Sequence, residues 1–178
     1  MNEFDFEGVF NEDYLYFYED ILTAERTQED VEKIVALLDL EPGAEVLDCP
    51  CGHGRIATEL AAHGFRVTGI DASEFFLDRA RAAAEARGVD VEFVQGDMRA
   101  LPWQGRFDAL VNWFTSFGYF SDEQNKDVLR QFHDALKPGG KLILETQNIT
   151  RIILNPRPQH FVERNGDLML DEFGKRGL

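Results

Sequence analysis

The run Val46-Leu47-Asp48-Cys49-Pro50-Cys51-Gly52-His53-Gly54-Arg55 restricts the possible folds of this chain more than any other segment. An apolar stretch ends in an acid, turns through two glycines and continues into a helical pattern. Glycine has no Cβ and takes φ > 0 freely, so such a turn can bring backbone close to a ligand. The first turn of the following helix aims unpaired N–H groups and the positive dipole end at the same place. The acid at the strand end adds an acceptor. It suits a ligand that carries positive charge or donor groups, which a bare pyrophosphate lacks.

Strand and helix signals alternate on either side of this turn. A helix is expected from an N-cap at Thr27, with Glu29 and Asp30 in its first turn and Val31, Ile34, Val35 and Leu38 on one face. Strands are expected at 44–48, 66–70, 89–95, 107–113 and 141–147. Between them lie helices over 54–63, closed by Gly64, from Ser73 to Gly88, and from a capping box at Ser121-Asp122-Glu123-Gln124 to Leu136. Such alternation specifies an α/β fold, a doubly wound and mostly parallel sheet with helices on both faces. The 178 residues suffice for one main domain. We divide the chain into an acidic, aromatic arm at 1–26, an α/β domain at 27–150 and a segment at 151–178. The arm carries Phe4, Phe6, Phe10, Tyr14, Tyr16, Phe17 and Tyr18, and is expected to pack over the domain. Residues 151–158 read as loop, and Asn165-Gly166 as the turn of a hairpin over 159–173.

Charge narrows the partners. Lys and Arg total 18 against 33 Asp and Glu, a net charge of −15. That surface repels a phosphate backbone, so no nucleic-acid partner is expected. The N-terminus has no basic stretch followed by an apolar one, and no apolar run approaches the ~18 residues that span a bilayer. A cytoplasmic protein with no membrane partner is expected. Cys49 and Cys51 stand one residue apart, too close for an unstrained disulfide and outside the usual Cys-x₂₋₄-Cys zinc spacing. No metal site is expected, and both cysteines read as reduced residues of the turn.

Ligands of open α/β sheets sit beyond the carboxyl ends of the strands. Acids fall at such ends three times, at Asp48, Asp71 and Asp97. Asp71, about 20 residues past the glycines, can accept from both hydroxyls of a ribose. Asp97 can accept from an adenine amino group, with Met98 and Ala72 against the faces of the purine. Backbone at Gly52 and Gly54, beside His53, can meet amino and carboxylate groups, and Asp48 can orient the loop from behind. The ordinary readings are a turn acid at Asp48, a helix-capping acid at Asp71 and a loop acid at Asp97.

These segments together resemble the class I S-adenosylmethionine-dependent methyltransferases, above all the bacterial small-molecule type. Val46–Arg55 is similar to the first motif of that family, and Val67-Thr68-Gly69-Ile70-Asp71-Ala72-Ser73 to its ribose-binding motif. Gln95-Gly96-Asp97-Met98 is similar to the adenine-binding motif, and Leu136-Lys137-Pro138-Gly139-Gly140 to the turn before strand five. The resemblance implies a Rossmann-like methyltransferase fold, S-adenosylmethionine as cofactor with S-adenosylhomocysteine as product, and a small-molecule acceptor. It places Asn112 and Trp113 near the methionine part of the cofactor. The aromatic segment Phe114–Phe120, through Phe114, Thr115, Ser116 and Tyr119, is placed at the acceptor pocket, with plain core packing as the ordinary reading. Tyr18 with Arg26 would close the arm over the site. No catalytic base is assigned: His53, His63 and His133 are poorly placed, and only His160, on the hairpin, is considered near an acceptor.

The family sheet has two further strands after strand five. Here only the hairpin follows, and in relatives such a segment starts an acceptor-covering insertion before strand six, so residues 151–178 are expected to be the truncated start of that insertion, unless a second copy in a homodimer completes the sheet. Two other functions fit part of the pattern. Gly52-His53-Gly54-Arg55-Ile56-Ala57 satisfies a dinucleotide glycine motif, which would suit an NAD-dependent oxidoreductase. A non-catalytic cofactor-binding domain would keep the same turn.

Overall fold

The structure, a computed structural model, describes residues 6–154 and 159–172. Strands β1 (Glu45–Asp48), β2 (Arg66–Asp71), β3 (Val91–Gln95), β4 (Phe107–Asn112) and β5 (Leu136–Leu144) form one sheet in the order β3-β2-β1-β4-β5. Every pair in it is parallel. Strand order reverses between β1 and β4, which puts the ligand crevice of this architecture at their carboxyl ends.

A parallel sheet is covered on both faces, so successive residues of a strand feed two cores. Val46, Val67, Ala109 and Val111 face α3 (Ala24–Leu38) and α4 (Arg55–Ala62), packing on Val31, Ile34, Ile56 and Leu60. Leu47, Ile70 and Leu110 point the other way, onto Val128 and Phe132 of α6 (Asp122–Ala135). Helix α5 (Glu74–Arg87) lies against β3 and α4 and buries Phe76, Leu77 and Ala80.

Caps set the helix ends. The hydroxyl of Ser121 accepts from the Gln124 N–H while Gln124 reaches back to the Ser121 N–H, so the expected capping box forms. Helix α5 ends at Gly88, the expected boundary, and Gly88 closes it in the left-handed region. The cap of α3 is Thr23, not Thr27. Thr23 accepts from the Arg26 N–H, whereas the Thr27 hydroxyl donates back to the Thr23 carbonyl, so Thr27 lies inside the helix. Strand five also begins earlier than expected. Leu136 pairs with Phe107, and the register shifts before Ala109 meets Lys141, so Lys137–Gly140 forms an irregularity inside β5.

The arm folds as two short helices, α1 (Phe6–Val9) and α2 (Glu12–Tyr18). Residues 149–154, partly read as loop, form α7 (Ile149–Leu154). The expected hairpin is present as β6 (Gln159–Arg164) and β7 (Asp167–Glu172), antiparallel about a turn with φ of 52° at Asn165 and 90° at Gly166. Both values are positive, which a type I′ turn requires. The hairpin is fastened to α2. The Tyr16 hydroxyl donates to the Arg164 carbonyl at 3.0 Å and to Asp167 at 3.1 Å, and the Arg164 guanidinium lies 4.6 Å over the Tyr16 ring. That guanidinium also donates to the Tyr16 carbonyl and to Glu19. Among the described residues no helix is long and apolar enough to cross a membrane.

Candidate functional site

The carboxyl ends of β1, β2 and β4 open into a cleft walled by the glycine turn, the strand ends and residues of the arm. The glycine turn forms its floor. Gly52 has φ +54° and Gly54 φ +80°, both in the region that side chains avoid. Gly54 has a second reason to be glycine: a Cβ there would stand 2.6 Å from the Ala80 Cβ, so this position packs α4 onto α5. Gly54 does not line the cleft, whereas Gly52 and His53 do.

Asp71, the last residue of β2, spans the two halves of the floor. Its Oδ2 accepts from the Gly52 N–H at 2.8 Å and its Oδ1 from the Ser73 N–H at 2.9 Å. Burial raises its pKa, opposed by the N–H groups of Ser73, Gly52 and Ala72. The capping reading is thus part of the truth: Asp71 orders both the turn and the start of α5, while its carboxylate still lines the cleft. Asp48 is 2% exposed at the end of β1, and its Oδ2 has no hydrogen-bond partner. Burial pushes its carboxyl up to about 8, with the Arg55 guanidinium and the Ala57 N–H pulling it down and Asp71 adding to the rise. Asp48 lines the cleft directly and does not merely back the loop.

Asp97, Met98 and Ala72 also line the cleft. Asp97 is held by a fork from Arg99, with Nε to Oδ2 at 2.9 Å and Nη2 to Oδ2 at 2.6 Å. Burial pushes its carboxyl up, but the bonds from the Arg99 side chain and N–H outweigh this, and the net shift is downward.

Beyond β4 the chain takes an unusual course. Phe114 and Thr115 both have φ of +61°, a conformation that costs a non-glycine residue about 1–3 kcal/mol. The Thr115 N–H donates to Glu145, just past the end of β5, at 3.2 Å, and Thr115 is not among the residues that line the cleft. Trp113, Phe114, Ser116 and Tyr119 do line the cleft. Asn112 does not. It is fully buried, and its Nδ2 donates to the Cys49 carbonyl at 2.8 Å, tying β4 to the turn after β1.

Several wall residues escaped the sequence reading. The arm contributes Phe10, Tyr14 and Leu22, where Tyr18 and Arg26 were expected to close the site. Those two stand behind the wall: Tyr18 stacks on Tyr14 at 4.4 Å, and Arg26 lies 5.4 Å over the Phe114 ring. Phe10 in turn packs on Phe76 and Tyr119, at 6.0 and 5.9 Å between ring centroids. Arg55, at the start of α4, also lines the cleft. Cys49 and Cys51 are buried free thiols on the floor, and burial holds both far above the usual thiol range. Burial likewise raises the Tyr14 and Tyr119 hydroxyls, and lowers His53 to about 4 with help from Arg55. At neutral pH the cleft therefore presents two protonated phenols and a neutral imidazole. The side chain of His160 lies outside the described residues, as do positions 1–5, 155–158 and 173–178.

Comparison with known proteins agrees with this geometry. Residues 46–140, from β1 into β5, match the family model of the methyltransferase domain. A protein of Geobacillus sp. (strain WCH70) named as a methyltransferase is 30% identical over 141 residues, 77% of this chain and 57% of its own. The ubiquinone biosynthesis O-methyltransferase of Rickettsia felis is 31% identical over 122 residues, 68% of this chain and 48% of its own. The chain thus spans about half the length of these relatives. The crystal structure of the PH0226 protein from Pyrococcus horikoshii OT3 superposes with a TM-score of 0.68 at 28% identity, covering 81% of this chain and 66% of that one. With its five parallel strands, glycine turn and matched segment, the chain belongs to the methyltransferase domain family.

Proposed function

We propose that the cleft binds S-adenosylmethionine and that the chain transfers its methyl group to a small-molecule acceptor, leaving S-adenosylhomocysteine. One observation supports this above the others: the glycine turn and all three strand-end acids line a single cleft in a chain of this family. The residues fit the donor. Asp71 spends one acceptor site of each oxygen on Gly52 and Ser73, and each oxygen retains another for a ribose hydroxyl. Met98 and Ala72 offer apolar surface to a purine, and Asp97, held in place by Arg99, an acceptor for its amino group. Gly52, His53, Asp48 and Trp113 surround the place left for the amino-acid end.

The donor supplies a methyl group already activated toward in-line displacement. The work left to the chain is to align the acceptor and keep water out, an effect worth ~7–11 kcal/mol when geometry is tight. Phe114, Ser116 and Tyr119 form the acceptor side, and Phe10 and Tyr14 of the arm cover it. That wall suits an apolar, ring-bearing acceptor, and the Rickettsia felis relative is named for ubiquinone biosynthesis. Tyr14 and Tyr119, kept protonated by burial, serve as hydrogen-bond donors and not as bases. His53 at about 4 is too weak a base to assign one there.

The family match favours methyl transfer over the hydride transfer that the glycine pattern alone allowed. Calorimetry with S-adenosylhomocysteine and, in parallel, with NAD tests the choice. Binding of the first and not the second is expected. Binding of NAD alone would overturn the proposal.

A further inference from the structure

We infer that Arg55 is the residue that binds the carboxylate of the donor, through the Nη2 that the fold leaves without a partner. This inference rests on the proposed function and names the group that sets the donor's charged end.

Arg55 is the only Arg or Lys among the described residues that line the cleft, which otherwise presents the carboxylates of Asp48, Asp71 and Asp97. Asp71 and Asp97 repel a ligand carboxylate, and Arg55 is the one full positive charge among the described cleft residues that attracts it. The guanidinium is nine-tenths buried, its side chain being 10% exposed. Nη1 donates to Asp30 at 2.9 Å and stands 3.5 Å from the Thr27 hydroxyl, while Nη2 has no hydrogen-bond partner. A buried, unpaired donor on a permanent cation is costly to keep, and an incoming carboxylate removes that cost. The orientation is held on two sides, by Asp30 below and by the Phe114 ring at 5.4 Å. Arg55 itself lines the cleft, together with Asp48, His53 and Tyr14 from three other parts of the chain. Arg55 directly follows Gly54, which places it at the end of the cleft where the glycine turn leaves room for amino and carboxylate groups.

The test compares two ligands that differ in one group. S-adenosylhomocysteine carries the carboxylate; 5′-(3-aminopropylthio)-5′-deoxyadenosine is the same molecule without it. Calorimetry on the unaltered chain should show at least a tenfold preference for the first, about 1.4 kcal/mol. In Arg55→Met that preference should fall below about threefold, with little change in affinity for the decarboxylated ligand. A merely structural role for Arg55 would weaken both ligands together, and an undiminished preference in Arg55→Met would overturn the inference. Should Arg55→Met fail to fold, Arg55→Lys reads the same ratio, with an intermediate preference expected because an ammonium offers no planar fork. Undiminished discrimination in Arg55→Lys would likewise overturn it. If the unaltered chain binds neither nucleoside, the proposed function itself falls, and this inference with it.

Discussion

Replacing Asp48 by Asn should change how stability depends on pH, and the size of the change follows from its burial. The carboxyl is 2% exposed with Oδ2 unpartnered, and its pKa rises from 3.8 to about 8. The folded chain therefore holds this proton more tightly than the unfolded chain does. Below about pH 4 Asp48 costs nothing. Between about pH 4 and 8 the unfolded state ionises first and stability is lost progressively, and above about pH 8 the loss levels off. At about 1.4 kcal/mol per pH unit the ceiling is on the order of 5 kcal/mol. Water reaching Asp48 from the cleft screens part of it, and we expect about 2–4 kcal/mol. Asn has nearly the same shape and does not titrate. Urea unfolding of Asp48→Asn and of the parent at pH 4.5 and pH 8.5 reads the effect as a difference of differences, so any fixed cost of the amide cancels. The variant should gain on the parent by about 2–4 kcal/mol between the two pH values. A gap that stays constant would refute the reasoning. The same titration predicts proton release when a cationic donor lowers the Asp48 pKa, visible near pH 7 as a binding enthalpy that varies with the buffer and does not vary in Asp48→Asn.

Three other perturbations probe different parts of the site. Asp71→Ala removes the acceptor of two N–H groups and should lower stability by about 2–4 kcal/mol, while weakening S-adenosylhomocysteine at least tenfold; unchanged affinity would remove the ribose assignment. Gly54→Ala drives a Cβ to within 2.6 Å of Ala80 at a φ of +80°, so unfolding experiments should show a loss of about 2–4 kcal/mol, only partly rescued by adding Ala80→Gly because the backbone strain persists. Arg164→Ala unfastens the hairpin from α2 and should speed proteolytic cleavage within residues 159–172 without shifting the main thermal transition; equal cleavage rates would show that the Tyr16–Arg164 contact does not hold it.

Features that depend on near neighbours were legible before the structure. The capping box at Ser121, the helix end at Gly88 and the Asn165-Gly166 turn each need only the residues within a few positions, and each formed as read. The α/β alternation carried the sheet, because five buried strands separated by amphipathic helices leave few other solutions. What escaped needed information from afar. Thr23 and Thr27 are the same residue four positions apart, and only the packing of α3 decides which of them caps. Asn112 and Trp113 are neighbours on one strand end, yet one turns inward to Cys49 and the other lines the cleft, a choice made by the pleat. Phe10 and Tyr14 became wall residues through contacts with Phe76 and Tyr119 far along the chain, which no local pattern encodes. Arg55 looked like an ordinary first-turn residue, and only its unbonded Nη2 sets it apart.

The contacts of the arm have a bearing on how the chain acquires its structure. Phe10 and Tyr14 leave the ribosome well before Phe76, Tyr119 and Arg164, on which α2 and its neighbours settle. Contacts of such high sequence separation are slow to form, because a long loop must close before they return anything. The central strands can assemble first, and the aromatic roof should lock last. Until then its rings are exposed, so the nascent chain should be at its stickiest in that interval and should need shielding by a chaperone then more than at any later time.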